Sequence, residues 1–189
     1  GWHEYWSVIM TETELDQLAM KAELADDNEY LEMTDEEFHE FVTEDLGLES
    51  GDPMLEILKR QRDLGFADYQ NEVAAELAGI TDPAALHYLI SDYDYDSSDW
   101  LLRQIINNRK CDIRTARQIF WHLAPAAAFA EYGQPVGEEI LAVIDRKARA
   151  VDGGFVTVLP AEYESAENKI FADEGEVWPL PSSLAVVGE

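Results

Sequence analysis

Trp100-Leu-Leu-Arg-Gln-Ile-Ile-Asn-Asn-Arg-Lys-Cys-Asp-Ile-Arg-Thr-Ala-Arg-Gln-Ile-Phe-Trp-His-Leu123 is the run that decides the fold. It holds two apolar stripes at three- and four-residue steps. Trp100, Leu101, Leu102, Ile105 and Ile106 form the first, which ends at Asn107-Asn108. Ala116, Ile119, Phe120 and Leu123 form the second. Asp112 stands one step before the second stripe, where a side-chain oxygen caps a helix start. Trp100 and Trp121 are large enough to anchor two helices against each other. Helices this short must bury their stripes against other elements, and the rest of the chain reads as mostly helical, so the run predicts part of an α-helical bundle.

The same reading extends outward in both directions. Leu15, Leu18, Ala19, Ala22 and Ala25 recur at helical steps, with Thr11 or Thr13 as cap. Thr34 followed by Glu37 is a capping box, ahead of Phe38, Phe41, Val42 and Leu46, with Gly47 as the stop. Gly51-Asp52-Pro53 opens a third helix, with a bend expected near Gly65 and continuation through Val73, Ala74, Leu77 and Ala78. Thr81-Asp82-Pro83 opens another, carrying Leu86, Leu89 and Ile90. Pro125 breaks the pattern, and Gly137–Ala150 restores it with Ile140, Leu141, Val143 and Ile144. Arg146, Lys147 and Arg149 in its last turn suit the helix dipole. After Gly153-Gly154, residues Phe155–Leu159 are rich in β-branched types and read as a strand. The expected fold is mainly α, an irregular helical bundle with a short β or extended C-terminal segment. Three segments are expected to pack as one compact unit: an acidic helical segment 1–80, a helical core 81–150 and an extended flap 151–189.

Charge is distributed unevenly along this frame. The chain carries 40 acidic and 13 basic side chains, a net charge of -27. Residues 1–50 hold 16 acids and one base, and residues 101–150 hold five acids and eight bases. Such a negative field repels nucleic acid and anionic membrane and speeds encounter with a basic partner. Hydrophobic residues make up 47%, enough for a core, so the acidity does not signal disorder. Cys111 stands alone, which rules out a disulfide within the chain and suits a reducing cytoplasm. No stretch approaches 18 apolar residues, and Gly1–Ile9 lacks the pattern of a signal peptide.

Residues 86–123 resemble the bacterial family called domain of unknown function 4274. The likeness rests on Leu86-His87, Tyr93 and Asp96, Ile105-Ile106, Cys111-Asp112, Thr115-Ala116 and Ile119-Phe120-Trp121. The family pattern has Asn-Trp-Asp-Asp-Gly in the loop, whereas Asp94-Tyr95-Asp96-Ser97-Ser98 stands here. No loop-based function therefore carries over. The resemblance implies a small bacterial helical domain, in an association with immunity proteins of toxin systems.

Several constellations of residues bear on chemistry. Asp92, Asp94 and Asp96 open like a calcium loop, but Ser97 fills the sixth position and Arg103 the twelfth, where Gly and Glu are needed. His3, His39, His87 and His122 show no metal-ligand spacing; His39 with Glu36 and Glu40 reads as an ordinary exposed helix face. Cys111 reads as a small buried hydrophobe. No phosphate-binding glycine loop or nucleophile elbow is present. The bases Arg103, Arg109, Lys110, Arg114 and Arg117 are expected to pair internally, with the N-terminal acids or the Asp92–Asp99 loop.

These readings converge on a non-enzymatic, cytoplasmic immunity-type protein that occludes the basic active site of a cognate toxin. The expected contacts are Asp92, Tyr93, Asp94, Tyr95, Asp96 and Asp99, with Glu36, Glu37 and Glu40. No catalytic residue, metal or cofactor is expected, and neither nucleic acid nor membrane is an expected partner. The alternatives are an adaptor or chaperone for a secreted effector, and a carboxylate-dependent hydrolase.

Overall fold

The computed structural model describes residues 10–91, 99–123, 138–166, 168 and 184. Helices dominate them, and they divide into two compact units that meet in sequence between Gly79 and Ile80. The mainly α reading holds.

In the unit spanning residues 10–79, α1 (Glu12–Leu24) follows a Thr11 cap, whose Oγ1 accepts the Glu14 N–H at 3.1 Å. Thr34 caps α2 (Asp35–Glu40) in the same way, and its hydroxyl also donates to Glu37 Oε1 at 3.1 Å. The chain then widens into a π turn over Phe41–Asp45. Asp52 caps α3 (Pro53–Leu64), accepting the Met54 N–H at 2.9 Å. The bend expected near Gly65 is a full break. Gly65 sits at φ +85°, which ends α3 and lets α4 (Phe66–Ala78) start afresh. Leu18, Leu58, Tyr69, Val73 and Leu77 are buried, each removing apolar surface worth roughly 1.5–3 kcal/mol. Three side chains close the C-terminal end of α1. Tyr69 Oη donates to Lys21 O at 2.8 Å, Gln61 Nε2 to Leu24 O at 2.8 Å and Gln70 Nε2 to Ala25 O at 3.0 Å. They satisfy carbonyls that a helix end leaves without partners.

The unit that begins at Ile80 contains α5 (Pro83–Ser91), α6 (Trp100–Asn107), α7 (Ile113–His122) and α8 (Glu138–Arg149). Here α8 packs on α6 and α7, and α5 packs on α7. Leu86, Ile90, Ile105, Ile106, Ile119, Phe120, Ile140 and Ile144 lie at zero exposure, so both stripes of the opening run face inward. Trp121 Nε1 donates to Leu184 O at 3.2 Å, so this tryptophan anchors a residue 63 positions away. Lys147 Nζ donates to the carbonyls of Ile106 and Asn108, closing the end of α6, and lies 4.7 Å above the Phe155 ring.

The strand expected over Phe155–Leu159 is reduced to a single parallel bridge between Val156 and Asp112. No further strand accompanies it among the described residues. The physical reason is local. Val156 donates to Cys111 O at 3.0 Å and accepts from Ile113 N at 2.9 Å. The next residues then meet the start of α7, where a helix rather than a strand edge faces them. The Asp112 carboxylate takes their N–H groups instead.

Candidate functional site

Two arrangements carry the charged and polar chemistry, one in each unit. The first is the surface of residues 10–79. These residues hold 21 acids and four bases, a net charge of -17. All the acids but Asp27, Asp52 and Glu72 are exposed. The four bases are consumed within the unit. Lys21 Nζ lies 3.3 Å from Glu76, Lys59 Nζ 3.9 Å from Glu56, Arg60 Nη2 2.8 Å from Glu72 and Arg62 Nη2 3.0 Å from Asp35. Hydrogen bonding to Arg60, with its charge, holds the Glu72 carboxyl below the usual range. Pairing therefore leaves an uncompensated negative excess on this unit.

Arg62 shapes part of that surface. Its guanidinium donates to the carbonyls of Tyr30 and Met33 and stacks 4.5 Å over the Phe38 ring. It thereby fixes the approach to α2, which carries the exposed Glu36, Glu37 and Glu40. Glu37 is tied into the helix cap, while His39 on the same helix is exposed. Among the described residues no group of three or more His, Cys, Asp or Glu is placed to hold a metal ion. An open depression of about 320 Å³ is lined by Gln17, Lys21, Pro53, Glu56, Ile57 and Arg60. Its two long cations are already engaged by Glu76 and Glu72.

The expected contact residues fall into three groups. Glu36, Glu37 and Glu40 share α2, in the unit of residues 10–79. Asp99 immediately precedes α6 in the other unit, half-buried, with its Oδ2 3.3 Å from Arg103 Nη2. Asp92, Tyr93, Asp94, Tyr95 and Asp96 lie outside the described residues.

The second arrangement is a polar groove at the start of α7. Asp112 has no exposure. Its Oδ1 accepts the Arg114 N–H at 2.9 Å, as a helix cap should. Its Oδ2 accepts the N–H groups of Val158 at 2.7 Å and Leu159 at 2.9 Å. Arg114 Nε donates to Leu159 O at 3.0 Å. Arg114 Nη1 and Arg117 Nη2 each donate to Glu164 Oε2 at 3.3 Å. Arg117 Nε lies 2.8 Å from Glu164 Oε1, an ion-pair contact without hydrogen-bond alignment. Below them, His87 Nδ1 and Thr115 Oγ1 are 2.9 Å apart, and the Tyr163 ring stands edge-on to His87 at 5.3 Å. Burial pushes the His87 pKa down, against the pull of Asp112 and Glu164, so the ring favours its neutral form.

Residues 81–149 match the family model for domain of unknown function DUF4274. No curated protein and no solved structure matches the chain. The DUF4274 match contains α5 to α8, and so every donor and acceptor of the groove except those on residues 156–164. It extends the resemblance drawn from residues 86–123 through the whole of α8. It covers about a third of the chain, leaving the acidic unit and the C-terminal residues outside.

The internal pairing expected of Arg114 and Arg117 is present. Their described acidic partner is Glu164, from the C-terminal segment. Arg103 does pair with Asp99, and also lies 3.1 Å from Glu139. His87 carried no signal beyond its place in the family pattern, since a single histidine on an apolar helix face has no spacing to read. Cys111 is fully buried in the DUF4274 segment, and burial pushes its thiol up to about 12. It fills space as a neutral thiol.

Proposed function

We propose that this protein is a non-enzymatic, immunity-type inhibitor that binds a basic protein toxin in the cytoplasm and occludes its active site. One observation carries the reading: the unit of residues 10–79 spends all four of its bases on internal pairs and still presents an excess of 17 negative charges. Self-repulsion of that size adds nothing to the fold, whereas it steers a cationic partner and raises its association rate. The contact surface in this reading comprises Glu36, Glu37 and Glu40 of α2, the acids Asp92, Asp94, Asp96 and Asp99, and Tyr93 and Tyr95 as anchors.

The test begins with affinity capture from the source cell at low salt. The captured protein is then purified, and its association kinetics are followed across ionic strength. It is also expressed in a sensitive host with and without this chain. A toxic basic protein, neutralised by co-expression and released by salt, is the expected result. The double variants Glu36→Lys/Glu40→Lys and Asp94→Lys/Asp96→Lys are expected to slow association by roughly tenfold or more at low salt, with the gap closing as salt rises. Unaltered rates and full protection by both variants would remove the acidic surface from the interface. A partner that resists high salt and has no toxicity would support the adaptor reading in its place.

A further inference from the structure

The groove at the start of α7 holds a chain segment in the way a peptide-binding site does. Most of its contacts read backbone. The Asp112 carboxylate takes two successive N–H groups, at Val158 and Leu159. Arg114 Nε takes the Leu159 carbonyl, and Val156 makes a two-way bridge with Cys111 and Ile113. The side chains of Thr157 and Val158 contribute little, while the Tyr163 ring stands edge-on to His87. Thr157 is exposed, and Val158 is 66% exposed. The ionic exception is Glu164, gripped by Arg114 and Arg117. The Arg117 side chain is only 7% exposed, so its guanidinium is largely withdrawn from water and requires an anion.

We propose that Asp112, Arg114 and Arg117 form a recognition site for an extended peptide bearing a carboxylate, and that residues 156–164 fill it as an intramolecular ligand. The chemistry combines two recurring modes, strand-like backbone pairing and capture of an acidic group by paired arginines. The division of the chain supports it. The groove lies in the segment that matches DUF4274, and its occupant lies beyond residue 149. Gly153 at φ +72° and Gly154 form the turn that returns the occupant to the groove. A Cβ on Gly154 would stand 2.6 Å from Lys147 O, so only glycine permits that close return. This site does not depend on the acidic surface of residues 10–79. It takes an acidic ligand, where that surface would take a basic one.

The test uses the full chain and a fluorescent peptide of residues 154–166, with binding read by anisotropy. In the Glu164→Ala chain the internal ligand is weakened. This chain is expected to bind the peptide at least about tenfold more tightly than the wild-type chain does. A peptide carrying the same Glu164→Ala change is expected to bind at least about tenfold more weakly. Adding both Arg114→Gln and Arg117→Gln to the Glu164→Ala chain should abolish the difference between the two peptides. A folded Glu164→Ala chain that binds neither peptide, or both equally, overturns the proposal. If that variant fails to fold, hydrogen exchange on the wild-type chain decides. The Val158 and Leu159 amides are expected to exchange through local opening at least about 100-fold faster than the amides of Ile119 and Phe120. Exchange at the core rate would make residues 156–164 a fixed part of the fold rather than a ligand, and would refute the site.

Discussion

The two units handle charge in opposite ways. Residues 10–79 keep it outside, with 21 acids, four bases and ion pairs that lie mostly at the surface. Their interior polar groups are side chains closing helix ends, such as Tyr69, Gln61 and Gln70 on α1. Residues 80–166 hold 13 acids and eight bases, and draw several of them inward. Asp112 is buried, and Arg117 and Glu164 are nearly so. The difference shows what each charge is for. A surface ion pair adds about 0–1 kcal/mol and leaves the outward field to do something else. A buried carboxylate meeting three N–H groups holds segments far apart in sequence together.

The sharpest way to break this contrast is Asp112→Ala. It removes a helix cap worth about 1 kcal/mol and leaves the Val158 and Leu159 amides without their acceptor. The expected loss is about 3–5 kcal/mol, read by urea unfolding. Trp100 and Trp121 lie in the affected unit and residues 10–79 contain no tryptophan, so fluorescence from these two side chains follows that unit. A loss below about 1 kcal/mol would mean that other contacts hold the C-terminal segment.

Arg62→Ala is the counterpart in the acidic unit. Removing this side chain orphans the Tyr30 and Met33 carbonyls and uncovers Phe38. We expect a cost of about 2 kcal/mol, with hydrogen exchange accelerated through residues 29–45 and unchanged around α7. Acceleration in both units to the same extent would show that they do not open separately.

How much of this was legible depends on how local the signal is. The caps at Thr11, Thr34, Asp52 and Asp112 were readable because a cap and its helix lie within a few residues. The two stripes between Trp100 and Leu123 were readable for the same reason. Gly65 reads as a bend in the sequence and is a break in the structure, because the positive φ that ends α3 is not written in the flanking residues. The strand expected over Phe155–Leu159 rests on β-branched types, which state a preference but supply no partner. The start of α7 supplied one residue of pairing and a carboxylate. Glu164 was invisible as a site residue, since its partners lie 47 and 50 positions earlier.

Acid tests the interior of the second unit. Burial lowers the His87 pKa in the folded chain below the usual value of about 6.5. The unfolded chain therefore takes up this proton first. Stability from keeping His87 neutral is complete above about pH 6.5 and is lost as pH falls towards the lowered folded value. The slope from this group stays under about 1.4 kcal/mol per pH unit, the limit for one proton. His87→Gln should flatten it between about pH 6.5 and the onset of carboxylate titration. An unchanged slope would assign the effect to another group.

Salt gives the smallest effect and the cleanest separation of the two units. Going from about 0.01 M to about 1 M salt shortens the screening length from about 30 Å to about 3 Å. In residues 10–79 the dominant long-range interaction is repulsion among exposed acids, so screening should stabilise that unit by a few tenths of a kcal/mol or more. Glu36→Gln/Glu40→Gln should imitate part of the gain at low salt and leave less for salt to add. In residues 80–166 the same screening weakens the pull of Arg114 and Arg117 on Glu164, although burial limits the loss. Opposite signs are therefore expected in one sample: slower amide exchange at Val73 and Leu77, faster exchange at Val158 and Leu159. Shifts of the same sign and size would mean that salt acts on the chain as a whole, and that the negative excess does not belong to the acidic unit alone.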